Sequence, residues 1–156
     1  MLEAMQITGA GGRIQRRLVD ALYTESMLLA DEARHYYDGP ARDDREPLDP
    51  LIRVGFSCES LKVTTRLMHV IAWLLTQRAV EAGELSPGEA LDPSRRLADA
   101  PSFDANLIGA LPPRARALVA ASADLHRRVG RLDAAQETVP VESPVHSLHA
   151  RLTTSF

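Results

Sequence analysis

Between Leu67 and Leu75 the chain carries nine residues, of which only His69 is not apolar. A run that short cannot cross a bilayer, which takes about 20 apolar residues. It is long for a single strand, and no turn signal bounds it. The reading is a helix. A surface helix buries one apolar stripe, whereas a helix apolar nearly all the way round must be covered on several sides. This helix is therefore expected in the middle of the fold, with part of its cover supplied by a second copy of the chain. Leu67, Val70, Trp73 and Leu74 are the residues expected at that dimer interface.

Around this segment the sequence predicts an all-α fold, an antiparallel three-helix bundle with short extra helices. The first helix is placed from about Arg13 to Asp38, with Ile14, Leu18, Leu22, Leu29, Ala33 and Tyr36 near one face. Gly39-Pro40 ends it, because glycine takes the left-handed conformation and proline cannot continue the ladder. The second helix is placed from Pro50 to Ala82, with Asp49 as its cap and proline in its first turn. Gly83 terminates it, and Gly55 marks a bend. Ser86-Pro87-Gly88-Glu89 has the form of a capping box and predicts a short helix. Further turns are expected from Asp104 to Ala110, and the third long helix from Pro112-Pro113 to about Gln136. In that helix Leu118, Ser122, Leu125, Val129 and Leu132 form a narrow packing seam. No segment alternates with period two long enough for a strand.

The expected domains are a flexible glycine-ended lead over residues 1–12, a bundle over 13–136, and a disordered tail over 137–156. The tail holds Val145, Leu148, Leu152 and Phe156 at helical spacing, suited to folding on a partner. At 156 residues with 45% apolar content, the chain is large enough to fold without a disulfide or metal. The single cysteine, Cys58, cannot form an internal bridge and suits a reducing cytoplasm; it is read as a small core residue. The net charge of −3 and 4% aromatic content argue against nucleic-acid binding. No signal peptide or membrane span is expected.

Catalytic patterns fail one by one. Gly9-Ala10-Gly11-Gly12-Arg13 lacks both phosphate-loop fingerprints, since Ile14 stands where a glycine is required and no Gly-Lys-Ser/Thr follows. Glu32-Ala33-Arg34-His35 resembles half of a di-iron motif without the second half. His69 is read as a histidine that is hydrogen-bonded and inert, or that faces a small solvent gap, rather than a switch. Glu59 and Arg66 are read as pairing with other helices. Thr64 and Thr65 are expected to bond back to the preceding turn. The third helix carries Arg114, Arg116, Arg127, Arg128 and Arg131, either a solvated face or a docking face for an acidic partner. These readings exclude an enzyme and predict no cofactor and no metal. The alternatives left open are a bundle binding a small molecule or metal between its helices, through His69, Cys58 or Glu59, and an interaction module with unrelated partners.

Certain residues carry a further signal. They are Tyr37-Asp38-Gly39-Pro40, Glu59-Ser60-Leu61, Thr64-Thr65-Arg66-Leu67-Met68, Ala72-Trp73-Leu74-Leu75, Gln77-Arg78-Ala79-Val80, Gly83-Glu84 and Val129-Gly130-Arg131-Leu132-Asp133. In this order they resemble the alphaproteobacterial family of the regulator of CtrA degradation, RcdA, over about Leu22 to Gln136. The resemblance implies a dimeric three-helix bundle with a flexible C-terminal tail and no catalytic residues. It implies a non-enzymatic adaptor that helps deliver cell-cycle regulatory proteins, CtrA-like or other, to the ClpXP protease. CpdR-like and PopA-like accessory proteins are the implied partners, with a cytoplasmic location and recruitment to a cell pole. Arg127, Arg128, Arg131, Leu148, Leu152 and Phe156 are the residues expected to dock partners.

Overall fold

The computed structural model describes the backbone of residues 2–138 and the side chains of residues 11–136. All regular structure among them is helical. Three long helices, α1 (Leu2–Asp38), α3 (Pro50–Glu81) and α6 (Pro113–Thr138), carry the fold. Short helices fill the connections: α2 (Ala41–Arg45), α4 (Pro87–Ala90), a 3₁₀ turn at Pro93–Arg95, and α5 (Ala105–Ile108).

Helix α1 begins at Leu2, so the glycines at 9–12 lie inside a helix and not in a flexible lead. Glycine lowers helix propensity without forbidding the conformation. The buried stripe of α1 is Val19, Leu22, Ser26, Ala33 and Tyr36, while Ile14 and Leu18, expected on that face, stay exposed. Ser26 is accommodated in the interior because its hydroxyl donates to the Leu22 carbonyl at 2.6 Å.

Helix α3 ends one residue before the expected Ala82, and Gly83 follows with φ of 75°, the left-handed geometry that glycine tolerates. Asp49 does not cap α3 with its side chain, although Pro50 occupies the first turn as expected. Ser86 does cap α4, accepting from the Glu89 amide at 3.1 Å. Gly55 serves close packing: a β-carbon there would lie 2.4 Å from Leu107 Cδ2. The hydroxyls of Thr64 and Thr65 bond back to the carbonyls of Ser60 and Leu61, as expected.

The long helices do not alternate in direction throughout. Tyr37 meets Phe56, and Arg78 lies over Tyr23, so α1 and α3 are antiparallel. Arg128 pairs with Glu25 and Arg114 lies over Tyr36, so α1 and α6 are antiparallel too. Arg66 meets Ser122, Trp73 meets Asp133, and Gln77 meets Gln136. The partner numbers rise together, so α6 runs parallel to α3. The all-α class and the three long helices stand as expected; the direction of the third is the new feature. Parallel neighbours need a long return, and residues 82–112 supply it. The return lies along α3 and α6, with Arg96 on Asp133, the Ala98 carbonyl on His126, the Pro101 carbonyl on Arg66, and the Asp104 amide on Glu59.

Helix α3 packs along both α1 and α6, which meet each other over a shorter stretch. Its interior face holds Phe56, Val63, Leu67, Val70, Trp73 and Leu74. Leu118, Val119, Leu125 and Val129 of α6 close the core against them. No helix among the described residues is long and apolar enough to cross a membrane.

Candidate interaction surface

The residues expected to contact a second copy are spent inside the protomer. Leu67, Val70, Trp73 and Leu74 are all within 5% of full burial in the single chain. Trp73 also anchors its indole N–H on Asp133 Oδ1 at 2.8 Å. The physical reason is the long return segment, which together with α1 and α6 covers a face that a simple hairpin of helices would have left open.

The outer face of α3 is open instead. Leu51, Val54, Leu61, Met68 and Leu75 are exposed by 87, 62, 68, 63 and 48%. Cys58, expected in the core, is exposed on the same line. With half-buried Thr65 and exposed Ala72 the positions run 51, 54, 58, 61, 65, 68, 72 and 75. Steps of three and four, repeated, are the seam of a helix that packs on another helix. An exposed line of large apolar residues this long is the mark of an interaction surface. Its signal lies in the sequence. The buried stripe is interleaved with it, and the densest apolar run spans both.

Beneath the seam lies a buried polar cluster. Glu59, 1% exposed, accepts from Lys62 Nζ at 2.9 Å and from the Asp104 amide at 3.2 Å. Its other oxygen, Oε2, has no hydrogen-bond partner among the described residues. Arg66, 2% exposed, donates to Ser122 Oγ at 3.2 Å and to the Pro101 carbonyl at 3.0 Å. Burial lowers the Arg66 pKa, and the nearby Glu59 carboxylate opposes that shift. Burial pushes the Tyr37 hydroxyl up to about 12, with Glu59 adding to the rise. The cluster ties α3 to the return segment and to α6. Taking such charges out of water costs about as much as their attraction returns, so the cluster is weak evidence for added stability.

The arginines of α6 separate. Arg127 pairs with Asp124, and Arg128 bridges Asp124 and Glu25 of α1. The hydrogen bond to Glu25 raises the Arg128 pKa. Two of the three arginines expected to dock a partner are thus engaged within the chain, and Arg131 is exposed. Leu148, Leu152 and Phe156 lie outside the described residues. His69 is half-buried on α3, and its buried Nδ1 finds no hydrogen-bond partner among the described residues. No group of three His, Cys, Asp or Glu side chains among those residues could hold a metal ion.

With this architecture in view, two comparisons are informative. The family profile described as "Protein of unknown function (DUF1465)" matches residues 11–156. The crystal structure of RcdA from Caulobacter crescentus CB15 superposes with a TM-score of 0.63 at 35% sequence identity. That match covers 76% of this chain and 90% of the RcdA chain. The chain belongs to the DUF1465 family. A search of curated proteins found no match. The family match extends through residue 156, beyond the bundle, so the DUF1465 profile includes the segment after α6. This DUF1465 chain presents a helical body with an open apolar seam along α3.

Proposed function

We propose that this DUF1465 protein is a non-enzymatic adaptor that helps deliver cell-cycle regulatory proteins to the ClpXP protease. Its accessory partners are CpdR-like and PopA-like proteins, and its cargo is CtrA-like or another cell-cycle regulator. It works in the cytoplasm and is recruited to a cell pole. The observation that carries the reading is the 35% identity with RcdA over 90% of that chain. The exposed α3 seam supports it, because an adaptor works through surfaces rather than through a reactive centre. The tail, through Leu148, Leu152 and Phe156, tethers a partner and raises its effective concentration.

The adaptor is a homodimer, and the seam of α3 is the face that meets the second copy. This replaces the interior residues Leu67, Val70, Trp73 and Leu74 in that role. The decisive experiment is degradation of candidate cargo by ClpXP with a CpdR-like protein, with and without this chain. Acceleration of at least one cargo is expected. Unchanged rates for every cell-cycle regulator of the native cell would remove the adaptor reading.

A further inference from the structure

At the corner where α1, α2 and α3 meet there is a hollow of about 240 Å³. It opens beside the α3 seam and shares no residue with it. The rings of Tyr37 and Phe56 line it, edge to face with centroids 6.1 Å apart, together with Ala41. Arg42 and Arg45 of α2 and Ser57 and Ser60 of α3 add polar groups, and Asp38 is the one carboxylate in its lining.

We infer that this hollow binds a phosphate monoester, held by the guanidinium groups of Arg42 and Arg45 and by the Ser57 hydroxyl. Unspent donors are the first argument. Every other described serine and threonine side chain of the long helices donates to a carbonyl about one turn back, as Ser60 does to Ser57 at 2.7 Å and Thr64 to Ser60 at 3.1 Å. The Ser57 hydroxyl makes no hydrogen bond among the described residues. Arg34, Arg78, Arg96, Arg127 and Arg128 each reach a carboxylate. The side chains of Arg42 and Arg45 pair with nothing among the described residues.

Charge is the second argument. Acids stand close to both arginines in the chain, and none forms an ion pair with them. The Asp44 carboxylate accepts from the Tyr36 hydroxyl at 2.8 Å. Asp43 and Glu46 line an adjoining hollow, where Arg53 joins Arg42 and Arg45. Two guanidinium groups against Asp38 leave the first hollow one positive charge in excess. Arginine binds phosphate through two parallel N–H bonds. A phosphate monoester brings a charge of about −1.5 to −2 and three acceptor oxygens. That suits two guanidinium groups and a hydroxyl better than the single charge of a carboxylate. Room is the third argument. At about 30 Å³ per water molecule the hollow holds about eight. This is more than a phosphate group fills, so the carbon stem that carries it lies against Ala41 and Phe56.

This goes beyond the adaptor reading and does not depend on it. A phosphorylated side chain of a protein and a phosphorylated metabolite offer the same chemistry, and the choice of probes separates these sources.

The test titrates the isolated full chain, followed by its amide NMR spectrum, with N-acetyl phosphoserine amide, glycerol 3-phosphate and glutamate. Saturable shifts centred on residues 38–60 are expected from the phosphate probes, with binding about tenfold tighter than that of glutamate. The tighter of the two phosphate probes names the source. Arg42→Ala with Arg45→Ala should weaken binding about tenfold or more, and Ser57→Ala about fivefold. Asp38→Asn should strengthen it about twofold, because the one opposing charge is gone. Both arginines and Asp38 are exposed, so circular dichroism should show these variants folded. The absence of any saturable shift, equal affinity for glutamate, or parent-like binding by the double arginine variant overturns the inference. Shifts centred on the arginines of α6 overturn it too, because the phosphate would then be read by a different basic surface.

Discussion

Single residues set the interior of this protein through paired polar groups as much as through apolar fit. Trp73 fills the space between α3 and α6 while its N–H is held by Asp133, which also binds Arg96. Trp73→Ala should cost about 3–5 kcal/mol, from lost burial plus the cavity left behind. Urea denaturation followed by circular dichroism measures it. A loss under 1 kcal/mol would mean that the indole is not part of the core. Tyr37 offers a second test. Its hydroxyl is ordinarily near 10.0 and stands at about 12 in the fold. The folded chain therefore holds that proton more tightly than the unfolded chain. A contribution to stability fully present below pH 10 is lost as pH rises through about 12. Alkaline unfolding of the parent and of Tyr37→Phe should diverge in that window and coincide near neutrality.

At the level of elements, the meeting of α5 with α3 depends on one missing side chain. A β-carbon at position 55 would fall 2.4 Å from Leu107. Gly55→Ala must displace the Leu107 side chain, so an overpacking cost of about 1–3 kcal/mol is set against the about 1 kcal/mol that alanine gains over glycine in a helix, and a net loss of no more than about 2 kcal/mol is expected. Leu107→Ala in the same chain should recover part of that loss, giving a measurable coupling in a double-mutant cycle. The outer face of α3 carries a different expectation. Its positions from 51 to 75 have a spacing that reads the same in both directions about residue 63. Two copies crossing antiparallel would match Leu51 with Leu75, Val54 with Ala72, Cys58 with Met68, and Leu61 with Thr65. Leu61→Glu should then yield a folded monomer by light scattering. Mild oxidation should leave Cys58 uncrosslinked to its twin. A fast Cys58–Cys58 bridge would signal parallel helices, and a dimer surviving Leu61→Glu would place the interface elsewhere.

The whole molecule is governed by the return from α3 to α6. Because these helices are parallel, the chain must travel back nearly the length of α6, about 39 Å for its 26 residues at 1.5 Å each. Replacing residues 84–112 with six glycines and serines should abolish the monomeric fold, since six residues reach only about 20 Å. The expected product is an unfolded or segment-exchanged species, seen by circular dichroism and size-exclusion chromatography. A monomer with native melting would overturn the parallel arrangement. The return also explains where the surfaces lie. By covering the inner flank of α3 it consumes the tryptophan face, and the opposite flank alone stays open.

Local chemistry made much of this legible beforehand. The start of α3 at Pro50, the capping serine of α4 and the packing seam of α6 each follow from short-range geometry, and each is where the residues point. Helix α1 also ends before Gly39-Pro40, but not by the expected left-handed turn, since among the described glycines Gly83 and not Gly39 has a positive φ. Helix α3 was recognisable as central because its apolar residues exceed one stripe. What the sequence could not determine was which of its two stripes faces inward, because both are spaced by three and four. Nor did it reveal the direction of α6, the exposure of Cys58, or the pairing of Arg128 with Glu25 across 103 positions. Those were decided only when residues 82–112 were laid along the bundle, since burial depends on what covers a face and not on the face itself.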